Sequence, residues 1–508
     1  MFSRRLRSLP LVAIAATGLA LSGCSGGGGS VGAAQPGGSG GSGVFTLGQS
    51  APINNLIPHN FQQSNMTWDR AIYDALVTFE DGKAKPNLAR EWTVTPDGRS
   101  YTFTLRDNVK FADGKAFDAQ VVADNIAWAS DPKNIVSGSA VLKAAAVVVN
   151  SATSVTLTFP TATPQLLDLL AVVPMMDLTA DLATKPNGTG PYKLDSFVPN
   201  SALTLTRNDD YWNAEAKPKA SGYTVKVFSD NASAQAALSS GQIQALAFPA
   251  FNQISALKSA GNKIVSADAP GNFMLRVNVK AGPLADQKVR QALSKAIDRA
   301  AFVKVGTADQ SQATCSAYPP GSGVYEPSAD DNCKYDLEAA KQLLTEAGYS
   351  QLTLSVDTSS VRQPELAAYM PILQEQLASI GVTLKINDLT ATVMSQNVTT
   401  SNYELSTDWY PWGNADPALL FISRTWTPDM TFQNFVDPAY TAMVSAAQGE
   451  MDPAKRKALY SDLNEYLMEQ SFVIPIATRP YVYAVSPKAS GFEMDPLGMV
   501  DATSLSTN

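Results

Sequence analysis

The chain of 508 residues holds a single histidine, His59. Metal centres and general acid–base sites lean on imidazole, so histidine-rich metal and catalytic sites are excluded. Charged residues are sparse at 17%, and the net charge of −8 already counts Arg4, Arg5 and Arg7 near the start. The remainder is more acidic still, which argues against nucleic acid as a partner. Cysteine is limited to Cys24, Cys315 and Cys333. Long apolar runs are missing too: the one over 9–21 is too short to span a bilayer, and no other stretch is long enough to be transmembrane.

What is present begins with an export signal. Basic residues at 4–7 precede the apolar run, which ends in Leu21-Ser22-Gly23-Cys24. That match resembles the bacterial lipobox, in which the cysteine becomes the lipidated first residue. Residues 1–23 are then the signal peptide, Cys24 the lipidation site, and the folded part a soluble body tethered at a membrane. The alternative is a chance cysteine in an ordinary signal peptide. Ser3-Arg4-Arg5 also faintly resembles a twin-arginine signal. Residues 24–43 form a Gly/Ser linker. Inside it, 27–32 fits GxGxxG and 37–41 fits GxSxG, but neither has the strand-then-helix context those motifs require. Both are products of composition. An exported chain with two further cysteines points to a Cys315–Cys333 disulfide, worth about 3 kcal/mol on the chain-entropy model; two free thiols are the alternative.

A chain of this length exceeds one core, so two or three domains are expected. Residues 91–95 and 99–106 flank Pro96-Asp97-Gly98, a hairpin signal in which Tyr101, Phe103 and Leu105 share a face. Helices are expected over 68–76, 118–129, 233–240, 286–299, 336–347 and 364–380, the last interrupted at Pro371, with another beginning at Asp452-Pro453. Strands are expected over 155–159, 203–207, 223–228, 245–248, 273–279, 352–356, 382–386 and 472–476. After residue 223 helices and strands alternate, the grammar of an α/β lobe with a mixed or parallel sheet.

The stretch 403–417 is the expected working surface. Tyr403, Leu405 and Thr407 alternate as in a strand, and Trp409, Tyr410 and Trp412 follow in a segment broken by Pro411 and Gly413. Aromatics at a sheet end suit the wall of a ligand cleft; capping of the core is the other reading.

Leu88-Ala-Arg-Glu-Trp92, Tyr101-Thr-Phe-Thr-Leu-Arg106, Val109-Lys-Phe-Ala-Asp-Gly114, Gly188-Thr-Gly-Pro-Tyr192, Asp210-Tyr-Trp212, Val289-Arg-Gln-Ala-Leu293, Ala296-Ile-Asp-Arg299 and Glu346-Ala-Gly-Tyr349 follow one another in a specific order and spacing. In these the chain resembles the extracytoplasmic substrate-binding proteins of the peptide/nickel class of ABC importers, the oligopeptide- and dipeptide-binding family. The resemblance implies an α/β fold of two lobes, the type II periplasmic-binding-protein fold, with an extra β-rich subdomain on the N-terminal lobe. It places lobe I at 44–78, 185–276 and 479–508, the subdomain at 79–184 and lobe II at 277–478. Hinge crossings are expected near 275–279 and 474–479. The implied function is capture of a peptide or peptide-like solute between closing lobes and delivery to membrane permease subunits, by a monomer with no cofactor and no metal.

The family's site carries over to Phe61, Gln62, Gln63 and Ser64, and to the 403–417 segment, where Thr407, Asp408, Trp409, Tyr410, Trp412 and Asp416 are the ligand candidates. Peptide-binding members place an arginine and, six residues on, an aspartate that grips the peptide amino group. Here those positions are Thr407 and Gly413, so peptides held otherwise, capped or cyclic peptides, sugars and other small polar molecules all stay open. Asn272 and Phe273 lie before the first crossing. Arg362 could fork onto a ligand carboxylate or make an ordinary ion pair, as could Arg276; His59 reads as structural. A lipid-anchored hydrolase is disfavoured, since serine chemistry would need His59 as its base. A sensor that keeps the fold without transport is a further alternative.

Overall fold

The computed structural model describes residues 42–58, 63–80, 83–131, 133–134, 136, 138–267, 271–320, 322–411, 416–428, 431–495 and 497–507. Two large sheets carry the molecule. The first has seven strands, in the spatial order Lys263–Ala267, Tyr481–Val485, Ala245–Ala247, Ser42–Gln49, Ala220–Val227, Ala202–Arg207 and Tyr192–Val198. Ser42–Gln49 runs parallel to both of its neighbours. In Ala202–Arg207, Leu203 and Leu205 are buried while Thr204 and Arg207 are not, the alternation of a strand with one core face.

The second sheet has five strands, ordered Val382–Asp388, Leu352–Thr358, Leu405–Pro411, Gly271–Val277 and Val473–Thr478. The first three run parallel, and Gly271–Val277 runs antiparallel to both of its neighbours, so the sheet is mixed. Every residue of Gly271–Val277 is buried. Phe273, Leu275 and Val277 enter one apolar core and Met274 another, because this strand is covered on both faces.

A four-stranded antiparallel sheet orders Ala89–Val94, Ser100–Leu105, Ser154–Thr158 and Ala146–Ser151. Tyr101, Phe103 and Leu105 are its buried face, as the hairpin pattern predicts, and Gly98 turns the hairpin at φ +64°. The helix Ala119–Ser130 starts on Asp118, whose carboxylate accepts the Gln120 and Val121 N–H groups. Asp336 and Asp452 cap Leu337–Glu346 and Pro453–Gln470 in the same way.

Several elements differ from expectation for identifiable reasons. The helix expected over 68–76 lasts only Asp69–Ile72, because Tyr73 turns extended and Ala75 bridges to Pro174. The helix expected over 286–299 ends at Lys295, and a second, Arg299–Thr307, starts on the Asp298 side chain. Pro371 does not interrupt Pro364–Ser379; burial of Leu366, Tyr369, Met370, Leu373 and Leu377 holds that helix through the missing N–H. The chain leaves the first sheet at Ala267 and enters the second at Gly271, before the expected crossing at 275–279, and returns between Thr478 and Tyr481. No helix among the described residues is long and apolar enough to cross a membrane.

Cys315 and Cys333 are joined, S–S 2.04 Å. The segment entering Cys315 lies along the last strand of the second sheet: Thr478 N–H donates to Gln312 O at 2.8 Å, and Gln312 N–H to Thr478 Oγ1 at 2.9 Å. Beyond it, Asn464 Oδ1 accepts the Ala317 N–H at 2.9 Å. The disulfide therefore fixes a segment already hydrogen-bonded to the strand that leads into the return crossing. Replacing both cysteines by serine is expected to lower the unfolding free energy by about 2–4 kcal/mol. Dithiothreitol should lower the wild-type midpoint in denaturant titrations comparably and leave the double variant unmoved; a wild type indifferent to reduction would refute this.

Candidate functional site

The two passages between the sheets are tied to each other: Arg479 N–H donates to Gly271 O at 2.7 Å. Beside them lies a cavity of about 390 Å³. Phe248 and Val482 reach it from the first sheet, Arg362 and Glu365 from the turn and helix that follow the strand Leu352–Thr358, Gln63 from the N-terminal segment, and Arg479 from the return crossing.

Phe248 holds a left-handed backbone at φ +53°, unusual without glycine. Its N–H donates to Val482 O at 2.8 Å, and its ring packs 5.1 Å from Tyr483 and 5.7 Å from Tyr481. Such strain persists only where the surroundings over-determine it. The Arg479 guanidinium stacks on the half-buried Trp409, 4.0 Å from the ring centroid, with Tyr481 and Phe273 at 5.6 and 5.8 Å. Its Nε is buried and has no hydrogen-bond partner among the described residues. Glu365 sits in the first turn of Pro364–Ser379. Burial pushes its carboxyl up from the ordinary value, and Arg479 pulls it part of the way back.

Next to this cavity is a buried polar network in which Arg276 Nε has no hydrogen-bond partner among the described residues. Asp408 pairs with Arg276 and accepts from Gln363 Nε2 at 3.0 Å, with Arg362 Nη2 at 3.8 Å. Thr407, fully buried, donates its hydroxyl to Gln363 Oε1 at 2.6 Å. Asp416 holds Arg456 with two bonds of 2.6 and 2.8 Å and accepts the Ala418 N–H at 2.8 Å. Its carboxyl is pushed up by burial and pulled down by Arg456. Neither carboxylate is available to grip a ligand ammonium, since a guanidinium already occupies each.

Of the expected ligand residues, the cavity brings together Gln63, Arg362 and, through Arg479, Trp409. Phe273 is core, its ring 5.2 Å from Phe302. Asn272 donates to Ser316 O at 3.0 Å, fixing the Cys315 segment. Tyr410 is half-buried against the second sheet's other core, and Ser64 is buried with its hydroxyl on Asn65. Phe61, Gln62, Trp412, His59 and Cys24 lie outside the described residues. Sequence reasoning missed Phe248, Glu365 and Arg479. The one signal for Arg479 was Arg479-Pro480 between two apolar strands; a glutamate in a first helical turn is too common to stand out.

Residues 83–430 match the family model for bacterial extracellular solute-binding proteins, family 5. The glutathione-binding protein GsiB of Salmonella paratyphi A is 31% identical over 454 residues, covering 84% of this chain and 87% of that protein. GsiB of Escherichia coli O1:K1 / APEC is 30% identical over 453 residues, with the same coverage of 84% and 87%. Among solved structures, DppA from Helicobacter pylori in complex with the peptide STSA superposes with a TM-score of 0.79 at 22% identity, over 92% of this chain and 98% of that one. CtaP from Listeria monocytogenes gives a TM-score of 0.82 at 21% identity, over 92% and 100%. The fold is the α/β, two-lobed type II periplasmic-binding-protein fold with an additional β-rich subdomain. The chain belongs to the bacterial extracellular solute-binding proteins of family 5, whose members bind a solute for ABC import and are not enzymes.

Proposed function

We propose that the chain captures a peptide or peptide-like solute in the cavity at the two crossings and delivers it to membrane permease subunits, while held at the membrane by a lipid on Cys24. The observation that carries this reading is Arg479: a guanidinium stacked on Trp409, with a buried, unpartnered Nε, facing a cavity between two sheets. A carboxylate is the group that matches a guanidinium fork. The glutathione- and peptide-binding relatives support a ligand of this kind. On this reading lobe I comprises 44–78, 185–267 and 479–508, the subdomain 79–184, and lobe II 271–478, with a hinge at the paired passages. Lobe closure desolvates the ligand, and a micromolar affinity corresponds to about 8 kcal/mol gained there.

Isothermal titration with glutathione and short peptides, together with mass spectrometry of co-purifying solutes, tests the reading. Trp409→Leu removes the ring face and keeps most of the volume. It is expected to weaken binding by roughly 10-fold, the scale of a desolvated cation–π contact, with the thermal midpoint of the empty protein little changed. Unaltered affinity in this variant would place the ligand elsewhere. For the tether, Cys24→Ser is expected to move the protein from the detergent phase to the aqueous phase on Triton X-114 partitioning; wild-type protein already in the aqueous phase would refute the lipid anchor.

A further inference from the structure

The cavity at the crossings carries three charged side chains, Arg362, Glu365 and Arg479. They are unlike the charges next to them. Asp408 pairs with Arg276, and Asp416 with Arg456. No ion pair within 4.0 Å joins Glu365 to Arg362, to Arg479 or to any other cation among the described residues, and its carboxylate has no side-chain hydrogen bond there. Arg362 reaches only the already paired Asp408, at 3.8 Å, and is 40% exposed. Opposite charges thus share one partly desolvated cavity without a contact ion pair, Arg479 offsetting only part of the cost of burying Glu365. Such an arrangement is unfavourable for the empty protein and complementary to a solute that supplies the opposite charge at each end.

We propose that Glu365 is the receptor for a ligand ammonium, with Arg479 and Arg362 receiving carboxylates, so that this site selects small amphoteric acids bearing one ammonium and more than one carboxylate. The assignment rests on the cavity reading above and deepens it. The count of charges gives the class: two guanidiniums against one carboxylate leave a net positive cavity, which a zwitterion with one additional carboxylate neutralises. Glu365 is placed to act because it stands on the rigid first turn of a 16-residue helix that packs on the second sheet. Burial raises its carboxyl, Arg479 and its own backbone N–H offset only part of that, and a bound ammonium supplies a counter-charge in contact. Arg479 is fixed on its other face by Trp409 and by its own N–H to Gly271 O, so its free edge is held in place before a ligand arrives.

Two probe pairs test this by isothermal titration on the mature chain: glutathione with N-acetylglutathione, and trialanine with N-acetyltrialanine. The wild type should prefer glutathione to its N-acetyl form by about 10-fold or more, the scale of a charged hydrogen bond, and should prefer glutathione to trialanine. In Glu365→Gln the preference for the free ammonium should collapse to about one, whereas Arg479→Met should weaken both members of each pair alike. Glu365→Asp keeps the charge and should retain part of the preference, which keeps the test open if Glu365→Gln fails to fold. A wild type that binds but ignores acetylation, or a Glu365→Gln variant that keeps the wild-type preference, overturns this assignment and leaves the binding function standing. Preference for trialanine overturns the requirement for a second carboxylate. A wild type that binds none of the four probes removes both the assignment and the peptide-like reading beneath it.

Discussion

One backbone hydrogen bond, Arg479 N–H to Gly271 O, fixes where the two halves of this molecule meet. It joins the passage out of the seven-stranded sheet to the passage back into it, so both connections are held at one place. The consequences are local and specific. Arg479 stacks on Trp409 of the central strand of the five-stranded sheet, Phe248 is pressed against Tyr481 and Tyr483, and the space left between the sheets becomes a cavity lined from both sides. Paired strand-to-strand passages are also what a hinge needs, because a few terminal residues absorb the change in φ and ψ while both sheets stay intact.

The rigidity of the second half has a different origin. Leu405 to Asp408 are all buried, on a strand flanked on both sides in the sheet. Polar residues in that position survive only when every group is satisfied. Thr407, Gln363, Asp408 and Arg276 come close to this, with Arg276 Nε the exception among the described residues, and removing one member of such a buried pair costs about 3–5 kcal/mol because the other charge is left uncompensated. Asp408 is engaged with Arg276 and Gln363 at the strand end, so the proposed recognition is assigned to side chains of the cavity without a contact ion pair of this kind.

How much of this was legible in the sequence follows from the same physics. Tyr101, Phe103 and Leu105, or Leu203 and Leu205, belong to strands with one buried face, so period-two alternation announced them. Asp118, Asp336 and Asp452 announced helix starts because an N-cap acts through its own local backbone. Tyr73 and Leu76 misled for the converse reason: both are buried like Ile72, but past the end of the helix, where Tyr73 turns extended and Ala75 bridges to Pro174, and apolar spacing does not record which backbone conformation buries a residue. In the strand carrying Thr407 and Asp408 both faces are covered, so alternation could not assign an inner and an outer face. The sequence pattern marked the segment as a strand, while which of its polar groups pair with one another could not be read from it. Arg479 and Glu365 meet only when two segments more than a hundred residues apart in the chain are brought to one cavity.

The turn Pro417–Ile422 adds a constraint on any motion of the two halves. It follows the strand Leu405–Pro411 and is held by Asp416 to Arg456 of the helix Pro453–Gln470, yet Leu419 is buried in the apolar core formed by the N-terminal segments and the four-stranded sheet. Gly98, at the tip of that sheet's hairpin, lies directly against Met451. On the lobe division proposed above, these contacts cross from one lobe to the other away from the cavity. Exposing a buried leucine costs roughly 1.5–3 kcal/mol, so the arrangement with the halves together has some stability of its own before a solute enters. A ligand shifts such an equilibrium only by its difference in affinity for the two arrangements. Groups touched from one half alone contribute nothing to that difference. On the proposed reading, the side chains that would couple a ligand to closure are those facing each other across the cavity, Arg362 and Glu365 on one side with Phe248 and Gln63 on the other, and Arg479 at the return passage between them.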